Sequence, residues 1–111
     1  MIPCSLGDWR DGLDAGDLSP VFLAMHCLER MELLEPRLNA VTYRDRDATL
    51  RAARSAEARL ARGDRGPMLG IPVVLKDNLN WKGAPTRNGS RILEDYASPY
   101  DATVVRRLLD A

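Results

Sequence analysis

Apolar residues recur at helical spacing in two stretches of the chain and alternate with other residues in a third. After Ser19 and Pro20, an N-cap and first-turn pair, Val21, Ala24, Met25, Leu28 and Met31 fall on one helical face. Glu29, Arg30, Glu32 and Glu35 occupy much of the remaining surface, and Pro36 interrupts the pattern. The spacing predicts one amphipathic helix over about residues 20 to 35. The short apolar run Leu38 to Tyr43 suits either a strand or an extended connection. Asp45 or Asp47 can then cap a second helix that runs through Leu50, Ala53, Ala56 and Leu60 and is ended by Gly63. A last helix is expected from an Asp101 N-cap to the end of the chain.

The third pattern is Gly70-Ile71-Pro72-Val73-Val74-Leu75-Lys76-Asp77. Alternation puts Ile71, Val73 and Leu75 on one face and Val74 with Lys76 on the other, and apolar residues on both faces predict a central strand covered on each side. Pro72 is tolerated at the start of such a strand. The expected fold class is therefore α/β. Lys76 emerges at the strand's carboxyl end, where open α/β sheets place ligands.

Composition changes this picture little. Sixteen basic and sixteen acidic side chains cancel, which argues against a nucleic-acid arm or a polybasic membrane anchor. A chain of 111 residues buries roughly two-thirds of its unfolded surface, enough for one core. Residues 1 to 18 are turn-rich, with Asp8, Asp11, Asp14 and Asp17 three apart but without the Gly and closing Glu of a calcium loop. A solvated short helix or turn is expected there. Arg51, Arg54 and Arg62 form a stripe that Asp47, Glu57 and Asp64 interrupt, as on a solvated face. Cys4 and Cys27 have no metal or redox spacing, and neighbouring His26 and Cys27 diverge by about 100° on a helix, so both are read as structural. No secretory pattern opens the chain, and its longest apolar run, Val21 to Met25, is far short of the roughly 20 residues that span a bilayer. A cytoplasmic protein with reduced thiols and no membrane partner is expected.

The basic residues are 14 arginines and two lysines, Lys76 and Lys82. Desolvation beside an apolar strand favours the neutral amine of a lysine, and a neutral amine can take a proton from a serine hydroxyl. A lysine at a strand end is more often solvated or ion-paired. Residue type and position alone leave both readings of Lys76 open.

Further blocks carry a resemblance. Gly70-Ile-Pro-Val-Val-Leu-Lys-Asp-Asn78, Lys82-Gly-Ala-Pro-Thr86, Gly89-Ser-Arg-Ile-Leu-Glu94 and Pro99-Tyr-Asp-Ala-Thr-Val-Val105, preceded by Glu35-Pro-Arg-Leu-Asn39-Ala-Val, resemble the amidase signature family in order and spacing over residues 19 to 111. Within the family, Ile92-Leu-Glu94 and the Pro99–Val105 block look most like the A subunit of the glutamyl-tRNA(Gln)/aspartyl-tRNA(Asn) amidotransferase. The resemblance implies a Ser-(cis-Ser)-Lys triad with Lys76 as its lysine, and an acyl-enzyme formed from glutamine or another amide. It also implies B and C partner subunits, the B subunit using ATP and Mg, with tRNA engaged only through the complex. It implies no cofactor and no metal in this chain.

The family's Gly/Ser-rich signature and both triad serines are absent from these residues, and Ser90 belongs to a separate Gly-Ser element. Thr86-Arg87-Asn88-Gly89 departs from the small residues usual there. The resemblance implies an incomplete portion of a single amidase domain with helices packed on a mixed central sheet: an acidic segment (1–18), a helical region (19–65), and a strand, loop and helix carrying the lysine (66–111). Such a chain should be inactive alone. The alternatives are a general amidase, or a noncatalytic module that docks a partner through the Val21–Met31 helix.

Overall fold

The computed structural model describes residues 5–111, which form two compact units divided between Pro72 and Val73. The first unit holds three helices: α1 (Leu6–Ala15), α2 (Pro20–Leu38) and α3 (Arg46–Ala61). The second, Val73–Ala111, holds a single 3-10 turn at Arg91–Leu93 and the helix α4 (Thr103–Asp110).

Local chemistry explains the helix boundaries. The Ser5 hydroxyl accepts the Asp8 N–H to start α1, and Gly16, in the left-handed region at φ 80°, ends it where a side chain would be strained. The acidic first segment is thus a short helix, with its aspartates used more specifically than solvation alone requires. Arg10 pairs with Asp14 at 2.9 Å and donates to the carbonyls of Gly66 and Leu69 at 3.0 and 2.7 Å. This fork ties α1 to the loop after α3. Cys4 lies outside the described residues, so its structural reading has no counterpart here.

Ser19 caps α2 by accepting the Phe22 N–H, and Pro20 occupies the first turn as expected. Pro36 does not end the helix, which runs on to Leu38. Close to the C-terminus, its missing N–H and its effect on the preceding turn disturb few bonds. Asn39 closes the helix at φ 47°, and Glu35 accepts the N–H groups of Ala40 and Val41 just beyond it. These bonds make residues 39 to 45 a connection rather than a strand.

Asp45 supplies the cap of α3, accepting the Ala48 N–H at 2.8 Å. Helix α2 packs on α3, with Leu23, Ala24, Leu28 and Ala53 buried and an Arg46–Glu32 ion pair at 2.9 Å on the rim. Leu13 and Leu69 are also buried in this unit. No helix among the described residues is long and apolar enough to cross a membrane.

The expected strand over residues 70 to 77 does not form. Ile71–Lys76 has neither helical nor strand pairing, and the sole β contact among the described residues is an isolated antiparallel bridge between Pro85 and Ala97. A strand exists only where ladder partners accept and donate its backbone bonds, and none among the described residues pair with this segment. Val73 and Val74 are 48% and 64% exposed, so neither side is covered. The described residues therefore form a helix-rich structure, without the mixed central sheet expected of the α/β class.

Candidate functional site

The lysine motif lies in the second unit from Val73 onward. The Leu79 N–H donates to the Lys76 carbonyl at 3.0 Å, bending the chain immediately after the lysine. The neighbouring Asp77 makes two bonds to one turn. Its carboxylate accepts the Arg87 N–H and its carbonyl accepts the Asn88 N–H, both at 3.0 Å. Asn88 and Gly89 have φ of 50° and 67°, and the Ser90 N–H closes on the Arg87 carbonyl at 2.8 Å. Positive φ at both central residues makes this a type I′ turn, a geometry that Asn-Gly favours.

The rest of the unit braces this turn. The Ser98 N–H donates to the Ala84 carbonyl at 3.2 Å and the Thr86 N–H to the Tyr96 carbonyl at 3.3 Å, on either side of the Pro85–Ala97 bridge. The buried Ser98 hydroxyl donates to the Tyr100 carbonyl at 2.6 Å. Ser90 is engaged too, accepting the Ile92 N–H at the start of the 3-10 turn. Both serines thus have structural partners.

Lys76 itself is exposed, and its side chain makes no ion pair or hydrogen bond among the described residues. The apolar covering that would dry its amine is not supplied by this segment. The Thr86 hydroxyl and the Arg87 Nε are the reverse case, buried and without partners among the described residues.

Asp101 departs from expectation. The N-cap of α4 is Ala102, which makes no side-chain capping bond, while the Asp101 carboxylate accepts the Lys82 N–H at 2.7 Å. The bond across the loop takes the acceptor that a cap would have used. In the first unit, burial pushes the Cys27 thiol pKa up, which suits a structural thiol rather than a nucleophile. No group of three or more His, Cys, Asp or Glu residues is placed to hold a metal among the described residues.

Sequence reasoning singled out Lys76 as the candidate base and did not anticipate the bonds that Asp77 and Asp101 accept. Asn88-Gly89 between two irregular stretches was an available turn signal. Nothing in the sequence marked which carboxylates would hold the loop.

Comparison with known proteins gives consistent relationships. The family model described as Amidase matches residues 23–111. The A subunit of the glutamyl-tRNA(Gln) amidotransferase from Aromatoleum aromaticum is 48% identical over 111 residues, covering 100% of this chain and 23% of that protein. Among solved structures, a peptide amidase in complex with the competitive inhibitor chymostatin superposes with a TM-score of 0.87 at 37% identity. That match covers 96% of this chain and 22% of the peptide amidase. An inhibitor-bound structure from a vestigial complex, described as revealing the origins of an s-triazine catabolic enzyme, superposes with a TM-score of 0.90 at 26% identity. It is covered over 24% of its length, against 97% of this chain.

Proposed function

The chain belongs to the amidase family, and from that premise we propose that it forms the lysine-bearing part of an enzyme that hydrolyses a carboxylic amide. The substrate we favour is glutamine, within the A subunit of a tRNA-dependent amidotransferase. The observation that carries this reading is the 48% identity, over the whole chain, to the A subunit of a glutamyl-tRNA(Gln) amidotransferase. B and C subunits are the partners this reading requires. ATP and Mg are used by the partner that activates the mischarged tRNA, and the assembly is cytoplasmic.

In this reaction Lys76 is the base. Its neutral amine accepts a proton relayed from a nucleophilic serine through a bridging serine, and the serine oxygen bonds to the amide carbonyl carbon. Backbone N–H groups stabilise the oxyanion. The C–N bond breaks, the departing nitrogen takes up the proton as ammonia leaves, and water then cleaves the ester. These 111 residues supply the base, and both serines come from elsewhere in the enzyme. The exposure of Lys76 fits this division, because the surface that dries it must come with the serines.

A general amidase is the second reading, favoured by the 37% identity to the peptide amidase over 96% of the chain. The two readings separate in the complete enzyme by assaying ammonia release from glutamine and from a C-terminal peptide amide. Glutamine turnover that rises when B and C subunits are added supports the amidotransferase. Peptide-amide turnover indifferent to them supports the amidase. The 111-residue chain by itself should release no ammonia, and Lys76-dependent release by that chain would overturn the division of residues.

A further inference from the structure

The anchoring of Lys76 is one-sided. Upstream, the amides of Val73, Val74, Leu75 and Lys76 make no hydrogen bond among the described residues, and the lysine side chain has no polar contact of its own. Downstream, the Lys76 carbonyl accepts from Leu79, and Asp77 bonds to two successive N–H groups of the Arg87–Ser90 turn. That turn is itself closed at 2.8 Å between Ser90 and Arg87, and its left-handed residues fix its shape. Among the described residues, the bonds nearest the lysine that reach a shaped part of the loop are those of Asp77.

We propose that Asp77 is a positioning residue for the base, its carboxylate and carbonyl holding the backbone of Lys76 against the Arg87–Ser90 turn. This rests on the reading of Lys76 as the base. The carboxylate acts here as a hydrogen-bond acceptor for the Arg87 N–H. Asparagine offers an acceptor oxygen at the same place and alanine offers none. Positioning matters because displacing a reacting group by about 1 Å costs on the order of 100-fold in rate.

The test uses the complete enzyme, with wild type, Lys76→Ala, Asp77→Ala and Asp77→Asn compared by steady-state kinetics on glutamine. Hydrogen exchange on peptides covering residues 86–90 is measured alongside. Asp77→Ala should lower kcat by at least about tenfold with KM changed less than about twofold. Exchange at the Arg87 amide, whose acceptor is the carboxylate, should quicken in that variant. Asp77→Asn should restore both kcat and protection, and it keeps the test informative if the alanine variant fails to fold.

Two results overturn the inference. One is unchanged kcat in Asp77→Ala despite faster exchange, which makes the clamp merely structural. The other is an Asp77→Asn enzyme that keeps its amide protection but loses kcat, which assigns the effect to charge instead of placement. If Lys76→Ala leaves turnover intact, the underlying reading of the base fails first, and the four enzymes distinguish that outcome from the other two.

Discussion

The carboxylate of Asp101 accepts the backbone N–H of Lys82 at 2.7 Å, joining the two ends of the loop that follows the lysine motif. The Ala102 N–H donates to the Asn80 carbonyl at 2.8 Å beside it, so a side-chain bond and a backbone bond close the same loop. Replacing Asp101 by alanine removes the first and leaves the Lys82 amide to water. A loss of about 1 kcal/mol is expected, since a net hydrogen bond in a partly exposed setting is worth about that much. Urea unfolding of Asp101→Ala and Asp101→Asn measures it. The asparagine variant should keep most of the stability, and equal losses in both would assign the effect to charge.

The same kind of bond starts α2, where the Ser19 hydroxyl both accepts from the Phe22 N–H and donates to Glu57 of α3 at 2.5 Å. Ser19→Ala should cost about 1 kcal/mol through the lost cap. Glu57→Ala leaves the cap in place and removes only the link to α3. A loss in Glu57→Ala below half that in Ser19→Ala, which removes both bonds, identifies the cap as the larger contribution when read from denaturation midpoints at a common slope.

What the sequence made legible was largely local. The Ser19 cap, the choice of Asp45 or Asp47 as the cap of α3, and the buried Ala24, Leu28 and Ala53 follow from interactions within a few residues, whereas Met25 of the expected α2 face is 40% exposed and the fully buried Leu23 lay outside it. Pro36 misled because a proline's cost depends on how much helix remains to be disrupted, and only Arg37 and Leu38 follow it in α2. Residues 70 to 77 misled for a different reason. Alternation records which faces a segment offers, while pairing depends on partners far away in sequence. The family itself was legible through the resemblance, and Lys76 was singled out by it. The Asp77 and Asp101 bonds were not, since they join residues 10 and 19 positions apart across an irregular loop.

Burial separates two leucines of α2. Leu23 is 0% exposed and Leu33 is 70% exposed. Leu23→Ala removes a fully packed side chain and should destabilise the chain by about 2–5 kcal/mol. Leu33→Ala removes one that lies largely in water and should change stability by less than about 0.5 kcal/mol. Thermal or urea unfolding of the two variants gives the comparison, and similar losses would refute the packing of α2 on α3.

Cys27 should react slowly. Burial disfavours its thiolate, so its pKa is raised, and at neutral pH the reactive form is scarcer than for a free cysteine. Iodoacetamide labelling of a Cys4→Ser variant isolates Cys27. The rate at neutral pH should fall below that of a small-molecule thiol and climb as pH rises toward and through the raised pKa. Labelling faster than the free thiol would indicate an activated thiolate and would reopen a role for His26 beside it.

The absence of a strand at Val73–Lys76 makes a prediction of its own. An amide is protected from exchange when a hydrogen bond must open before water can reach it. The amides of Val73, Val74, Leu75 and Lys76 make no such bond among the described residues, whereas those of Leu79, Arg87 and Asn88 do. Hydrogen exchange on the 111-residue chain should therefore show the first group exchanging close to the unprotected rate, with the second group slower. The exposed Val73 and Val74 give the same expectation from their side chains, since a central strand would bury both faces. Adding the remainder of an amidase in trans tests whether pairing awaits a partner. If a sheet then forms on this segment, protection should appear at alternate or successive amides of Val73–Lys76 and spare the turn at Asn88. Protection of Val73–Lys76 in the chain alone would instead mean that the strand pairs without outside help, and that its valines are covered rather than open to water.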